Sequence, residues 1–287
     1  MRRGPSTRRR TASVTAAVLA FGIASCSGEP PEPPESAPVP SPSAAPSAPA
    51  PSPSAAPATV APAAKPTGGL KTISYTHVPA GFPADPAPAS LGPLTEGLHP
   101  TRKLAVYDAP GGTPHAYLAP TIRGVPVVVP IVAKKPGWSA VLLPSVNRRI
   151  GWLPDRGWTA VPLRDQVIVR LSDRTLTWLR GGVLQKTWTV GIGATRTPTP
   201  LGRTFVLGRT GTHGHIYAGL DALVLGAVPD DRGAVAPGLQ NAHTGIHAWY
   251  RKSVFGHRIS NGCVRMPAAA QQTLLDNLAP GTPITVL

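Results

Sequence analysis

Cysteine is nearly missing from this chain: 287 residues hold only Cys26 and Cys263. That excludes a disulfide-built scaffold, and if Cys26 is used elsewhere, Cys263 stays a free thiol. Acidic side chains are scarce as well, 13 against 28 lysines and arginines, for a formal charge of +15. Long apolar runs are missing too. The run from Ala12 through Ile23 falls short of the ~20 residues a membrane-spanning helix needs. The 37 prolines, crowded into one segment and recurring at turns, exclude a bundle of long helices.

What is present begins with Arg2, Arg3, Arg8, Arg9 and Arg10, then the apolar run, then Ala24-Ser25-Cys26. A basic start, a short apolar stretch and small residues describe an export signal over residues 1–25. Ile23-Ala24-Ser25-Cys26 also reads as a bacterial lipobox, making Cys26 a lipidation site and the new N-terminus. An ordinary signal with an incidental cysteine is the plainer alternative. The Arg8-Arg9 pair lacks the large apolar residue expected soon after a twin-arginine signal, so the export route stays open.

Residues 26–66 are dominated by Pro, Ala and Ser, too poor in apolar surface to offset the entropy of ordering. Extended at about 3.1 Å per residue, such a disordered tether reaches roughly 120 Å. With a lipid on Cys26 it holds the rest of the chain off the membrane, facing the cell wall. Past Cys26 there are 23 basic and 13 acidic residues. They are scattered and lie in an exported segment, so an anionic wall polymer or membrane surface is expected as partner ahead of nucleic acid, with a merely soluble basic surface as the plainer alternative.

Residues 67–97 carry few signals and are expected to be mostly irregular. Beyond them the chain has room for two small units. In residues 98–161, Leu104-Ala105-Val106-Tyr107 alternates as a strand, Pro110-Gly111-Gly112 turns, and Val125 to Val132 and Trp138 to Leu143 follow as further strands. Short strands at close spacing predict a small barrel. The runs Pro136-Gly137-Trp138-Ser139-Ala140-Val141 and Gly151-Trp152-Leu153-Pro154 resemble bacterial SH3-like domains. Trp138, Trp152 and Trp158 are candidates for a binding groove, although core packing is the commoner use of Trp in so small a barrel.

Residues 165–287 read as a second, mostly β unit. Gln166 to Leu171, Thr175 to Leu179 and Lys186 to Ile192 form a meander, Thr204 to Leu207 and Thr282 to Leu287 are strands, and Ala268 to Leu278 is one short helix. Within this unit lies the chemistry. Cys263 is flanked by Ser260, Asn261, Gly262 and Arg265, a polar turn unsuited to a core cysteine, and His247 lies sixteen positions upstream. A thiol attacks a carbonyl as its thiolate and needs a base or positive charge beside it. His247 is the candidate base, Arg265 a source of positive potential, and Gly262 leaves the backbone beside the sulfur open to substrate.

The run Thr197-Pro198-Thr199-Pro200-Leu201-Gly202, then Ile246-His247, then Ser260-Asn261-Gly262-Cys263-Val264-Arg265-Met266, resembles the YkuD family of L,D-transpeptidases, as does Gly281 to Val286 at the end. Two positions depart from the commonest pattern: Asn261, where His or Lys is often seen, and Ala248-Trp249, where Gly-Thr is often seen. The resemblance implies a mainly β, sandwich-like catalytic domain with one short helix, here preceded by the SH3-like barrel and the Pro-rich linker. It implies a monomeric enzyme without cofactor or metal, acting on peptidoglycan stem peptides through a thioester on Cys263. His247 would be the base, with Ser260 beside the thiol and backbone N–H groups at Gly262 and Cys263 as oxyanion hole. Asn261 and Ala248 would orient the site, Ala248 through its carbonyl on His247. Arg265, Trp249, Tyr217 and His243 would bind substrate. The product would be a 3→3 cross-link, with hydrolysis by an L,D-carboxypeptidase as the runner-up.

Two rival classes stand beside this. His213-x-His215 and His243-xxx-His247 have ligand-like spacing, with Cys263 as a further candidate metal ligand. An inactive wall-binding module would rely on the tryptophans and leave Cys263 unused.

Overall fold

Alternating and fully apolar short runs build two sheets. The computed structural model describes residues 59–211 and 214–287. The export signal, Cys26, most of the 26–66 tether and His213 lie outside the described residues. The first sheet and its hairpin comprise β1 (Glu96–Pro100), β2 (Leu104–Tyr107), β3 (Pro114–Leu118), β4 (Thr121–Ile122), β5 (Val125–Pro126), β6 (Val129–Lys135), β7 (Trp138–Leu142), β8 (Ile150–Pro154) and β9 (Trp158–Pro162). Seven of them pair antiparallel in the order β3-β2-β8-β7-β6-β1-β9. β4 and β5 form a separate two-stranded hairpin. The run expected as one strand from Val125 to Val132 is therefore split. Trp138 and Trp152 are buried in the core of this sheet, and Trp138 meets a hollow only beside the docked residues 60–63.

The second sheet draws on β10 (Asp165–Arg170), β11 (Thr175–Arg180), β12 (Val183–Thr189), β13 (Ile192–Gly193), β14 (Gly202–Arg209), β15 (Leu223–Leu225), β16 (Gly245–Ala248), β17 (Arg258–Ser260), β18 (Val264–Met266) and β19 (Pro283–Val286). Its order is β12-β11-β10-β19-β14-β15-β16-β18, with β13 and β17 paired apart. Most pairs are antiparallel; β10 with β19, β16 with β18, and β13 with β17 are parallel. The expected strand from Lys186 to Ile192 ends at Thr189, and Ile192 turns to a different partner.

Helix α1 (Ala268–Asn277) is the only α-helix among the described residues. It starts just after Pro267, whose fixed φ suits a helix entrance. Its buried Leu274 and Leu275 pack into the second core. Gln271, fully buried, donates to the Asp221 and Ile246 carbonyls at 2.9 and 3.1 Å, tying the helix to β16. Arg209 caps the other end by donating to the carbonyls of Leu275 and Leu278, where the helix dipole favours a cation.

Each sheet has its own apolar core, yet β14 serves both. Side chains alternate along a strand, and Phe205 and Leu207 join the first core while Val206 joins the second. Residues 67–95 are irregular apart from isolated bridges at Thr72 and Ala84, and closely held, while Glu96 and Gly97 already belong to β1. Ile73 and Phe82 are buried in the first core. Asp85 makes a two-armed buried ion pair with Arg203 of β14, and the Leu91 and Ser90 carbonyls accept from Gln166 and Thr285. This segment is a strap from one sheet to the other. Even the described end of the tether is docked: Trp138 Nε1–H donates to Ala61 O and the Tyr107 hydroxyl to Ala64 O, both at 2.8 Å.

Candidate active site

Strand β16 carries His247 and β18 follows directly on Cys263. Their parallel pairing sets His247 opposite Arg265 and Ile246 opposite Val264. Cys263 and His247 thus open into one cleft of about 210 Å³, lined also by Tyr75, Tyr217, His243 and Asn261. Sulfur and imidazole share the cleft without a direct hydrogen bond.

The loop before Cys263 is braced from within. Ser260 is 2% exposed; its Oγ donates to the Cys263 carbonyl at 2.5 Å and accepts from the Gly262 N–H at 3.1 Å. Gly262 sits at φ +107°, where a side chain would be strained, and packs against the Thr197 and Pro198 carbonyls. The Thr-Pro-Thr-Pro run is the loop's outer support: Thr197 Oγ1–H and Ala194 N–H both donate to the Ser260 carbonyl, each at 2.9 Å. These contacts revise two expectations. The Ser260 hydroxyl is spent within the loop, on the Cys263 carbonyl and the Gly262 N–H. The Gly262 N–H is likewise occupied, leaving the Cys263 N–H, which meets no acceptor among the described residues, as the free backbone donor beside the sulfur.

His247 is buried, and its Nδ1 lies 2.8 Å from the Ala248 carbonyl. A carbonyl only accepts, so Nδ1 carries the proton and Nε2 is left as a bare lone pair. Burial pushes the His247 pKa down to about 4, further than the Ala248 bond raises it, and the Arg265 charge adds to the fall. The thiol moves the other way. Desolvation raises the Cys263 pKa, outweighing the lowering by the Gly245 N–H and by Arg265. The resting site is therefore a neutral thiol beside a neutral imidazole, not the thiolate that the positive neighbour suggested.

Arg265 spends its charge locally. Its guanidinium lies 3.6 Å over the Trp249 ring, and it forms no ion pair among the described residues. Tyr217, in the turn His215–Tyr217, sets its ring edge on His247 at 4.7 Å between centroids, and Trp249 flanks the imidazole at 5.7 Å. These aromatics keep water from the base. Asn261 is exposed at the cleft mouth.

His243 lines the cleft, but both of its ring nitrogens are turned to backbone carbonyls. Its Nδ1 lies 2.5 Å from the Leu225 carbonyl and its Nε2 2.6 Å from that of Tyr75. A neutral ring donates from one nitrogen only, so the two carbonyls would favour the imidazolium; burial nonetheless dominates and lowers its pKa. With both nitrogens engaged by backbone, His243 is poorly placed as a metal ligand. It also precedes β16 and does not share a strand face with His247 as the spacing suggested. Among the described residues no three His, Cys, Asp or Glu side chains cluster as metal ligands.

Tyr75 is the residue sequence reasoning missed. It reaches the cleft from the strap and stacks on His243 at 4.2 Å. Nothing local signals this, because the contact joins positions 168 apart.

Fold and site together define a mainly β domain that presents Cys263 and two histidines in a single cleft, of which only His247 keeps a ring nitrogen free of backbone carbonyls. Residues 164–286 match the model of the YkuD family, described as an L,D-transpeptidase catalytic domain. No curated protein matches the chain. Similar solved structures include a cysteine-to-serine mutant of an Enterococcus faecium L,D-transpeptidase, at 20% identity over 43% of this chain and 50% of that one, with a TM-score of 0.32. An L,D-transpeptidase from Mycobacterium smegmatis is 15% identical over 55% and 82% of the two chains, TM-score 0.36. L,D-transpeptidase 3 from Mycobacterium tuberculosis, in complex with a faropenem-derived adduct, is 14% identical over 49% and 74%, TM-score 0.35. The matched part spans half the length of the Enterococcus chain.

Proposed function

We propose that this protein is a peptidoglycan L,D-transpeptidase forming 3→3 cross-links through an acyl-enzyme on Cys263. The observation that carries the reading is the single cleft holding the Cys263 thiol and the bare Nε2 of His247, inside a domain matching that family. The Cys263 sulfur attacks the carbonyl between the third and fourth stem residues while its proton passes to His247 Nε2. Transfer accompanies attack because both groups rest neutral. The Cys263 N–H stabilises the oxyanion. As the C–N bond breaks, His247 returns the proton to the departing D-alanine amine, leaving a thioester. A side-chain amine from a neighbouring stem then attacks the thioester and regenerates the thiol.

On the same reading Cys26 bears a lipid, and residues 98–161, SH3-like in sequence, support the catalytic domain. Strained β-lactams of the carbapenem type present a carbonyl to the same sulfur and are expected to acylate it.

Incubating the protein with a tetrapeptide stem, with and without an amine acceptor, tests the reading by product mass. A cross-linked product formed only with acceptor, abolished by Cys263→Ala and indifferent to chelators, is the expected result. Hydrolysed tripeptide as the sole product in the presence of acceptor would make the enzyme a carboxypeptidase. Loss of activity to a chelator, restored by zinc, would overturn the cysteine mechanism.

A further inference from the structure

The cleft at Cys263 does not end at Tyr75. A second hollow of about 250 Å³ shares Tyr75, Thr210 and Val224 with it and runs on to Arg123 and Val125 of the first sheet's hairpin. We propose that this continuation is a second subsite, closed by the Arg123 guanidinium, that takes a carboxylate of the peptide donor. The proposal rests on the donor being a peptide acylating Cys263, as above.

Three observations carry it. Arg123 is exposed, stacks its guanidinium 4.0 Å from the Tyr75 ring centre, and has no acidic partner among the described residues. A guanidinium stacked by its face keeps its in-plane N–H fork free, the geometry that pairs with a carboxylate. Arg209, the other cation lining the hollow, is occupied by the end of α1, so Arg123 is the available charge.

Next, Arg123 occupies a costly position. It and Gly124 form the two-residue turn between β4 and β5, with φ +51° and +78°. Such a turn favours Asn-Gly or Gly-Gly, and an arginine at its first position is unfavourable unless the side chain serves elsewhere.

Finally, the platform is fixed. Ile122 is buried in the first core, and Val125 lies against Gly208 of β14, where a Cβ would come within 3.0 Å of it. Tyr75 is clamped by His243 through both its carbonyl and its ring. Arg123, Tyr75 and His243 thus form a stack leading from the hairpin to the thiol cleft, and a peptide passing along the edge of that stack presents its carboxylate to Arg123.

The test uses the full-length chain and two donor peptides, one with a free internal carboxylate and its carboxamide twin. Arg123→Asn is expected to raise KM for the carboxylate donor about tenfold or more, since hydrogen bonds to charged groups are worth at least that. Its kcat should be unchanged, and so should KM for the carboxamide. The melting temperature should hold or rise, because Asn suits the turn, and Arg123→Lys should recover part of the affinity. Equal KM in wild type and Arg123→Asn, or an equal loss with both donors, would overturn the subsite. Should wild type turn over neither donor, the catalytic reading fails separately. Calorimetric binding of the carboxylate peptide to Cys263→Ala, with and without Arg123→Asn, then decides the subsite alone: an affinity that depends on Arg123 upholds it, and an unchanged one removes it.

Discussion

At the residue scale the proposed mechanism depends on two neutral groups that share one cleft. His247 must be neutral to accept the thiol proton, and its pKa of about 4 leaves it so across the neutral range. The acylation rate should stay flat from about pH 8 to 5 and fall only as pH drops through about 4, whereas an ordinary histidine would already be half protonated near 6.5. Linkage acts in the same window. The folded pKa is depressed, so full stability holds above 6.5 and about 3 kcal/mol is lost as pH falls to 4. The profile therefore needs a parallel circular-dichroism check of folding. An acid limb near 6.5 in folded protein would contradict the neutral pair. Ser260 makes a separable prediction. Ser260→Ala leaves the Gly262 N–H and Cys263 carbonyl short of a partner, a cost of about 1–3 kcal/mol, and should lower kcat without moving the acid limb. Ser260→Thr should restore much of it. A shifted pH profile would instead give Ser260 a direct role in proton transfer.

At the element scale the strap of residues 67–95 matters most. Its ion pair between Asp85 and Arg203 is buried, so removing one partner strands a charge: Asp85→Ala should cost about 3–5 kcal/mol in urea unfolding. The exposed pair of Lys134 and Glu96 is the control, and Lys134→Ala should cost under about 1 kcal/mol. Equal effects would deny the strap its structural weight. The strands themselves were legible in the sequence because alternation and turn residues act locally, as in Leu104 to Tyr107 and Thr175 to Leu179. The helix was legible too, within a residue of its end. The strap was not, because Ile73, Tyr75 and Asp85 owe their places to partners far along the chain. The loop's bonding at Ser260 depends on backbone geometry that no residue pattern shows, whereas Cys263 and His247, to which the chemistry is assigned by proposal, stood out from their neighbours.

At the scale of the whole molecule the two sheets are bound by the shared strand β14, the strap and the cleft wall. Residues 164–287 expressed alone would expose Phe205 and Leu207, strand Arg203 without Asp85, and lose Tyr75 from the cleft. That fragment should unfold at lower urea and turn over donor with a higher KM than the intact chain. A fragment of equal stability and KM would show that the first sheet is a passive appendage. The central claim, a thioester on Cys263, is tested most directly by intact mass spectrometry after brief mixing with a tetrapeptide donor and no acceptor. A mass increase equal to the donor less its terminal D-alanine is expected, mapped to Cys263, missing in Cys263→Ala and slowed about 10²–10⁴-fold in His247→Ala. Donor turnover in Cys263→Ala, or an adduct on any other residue of the wild type, would contradict it.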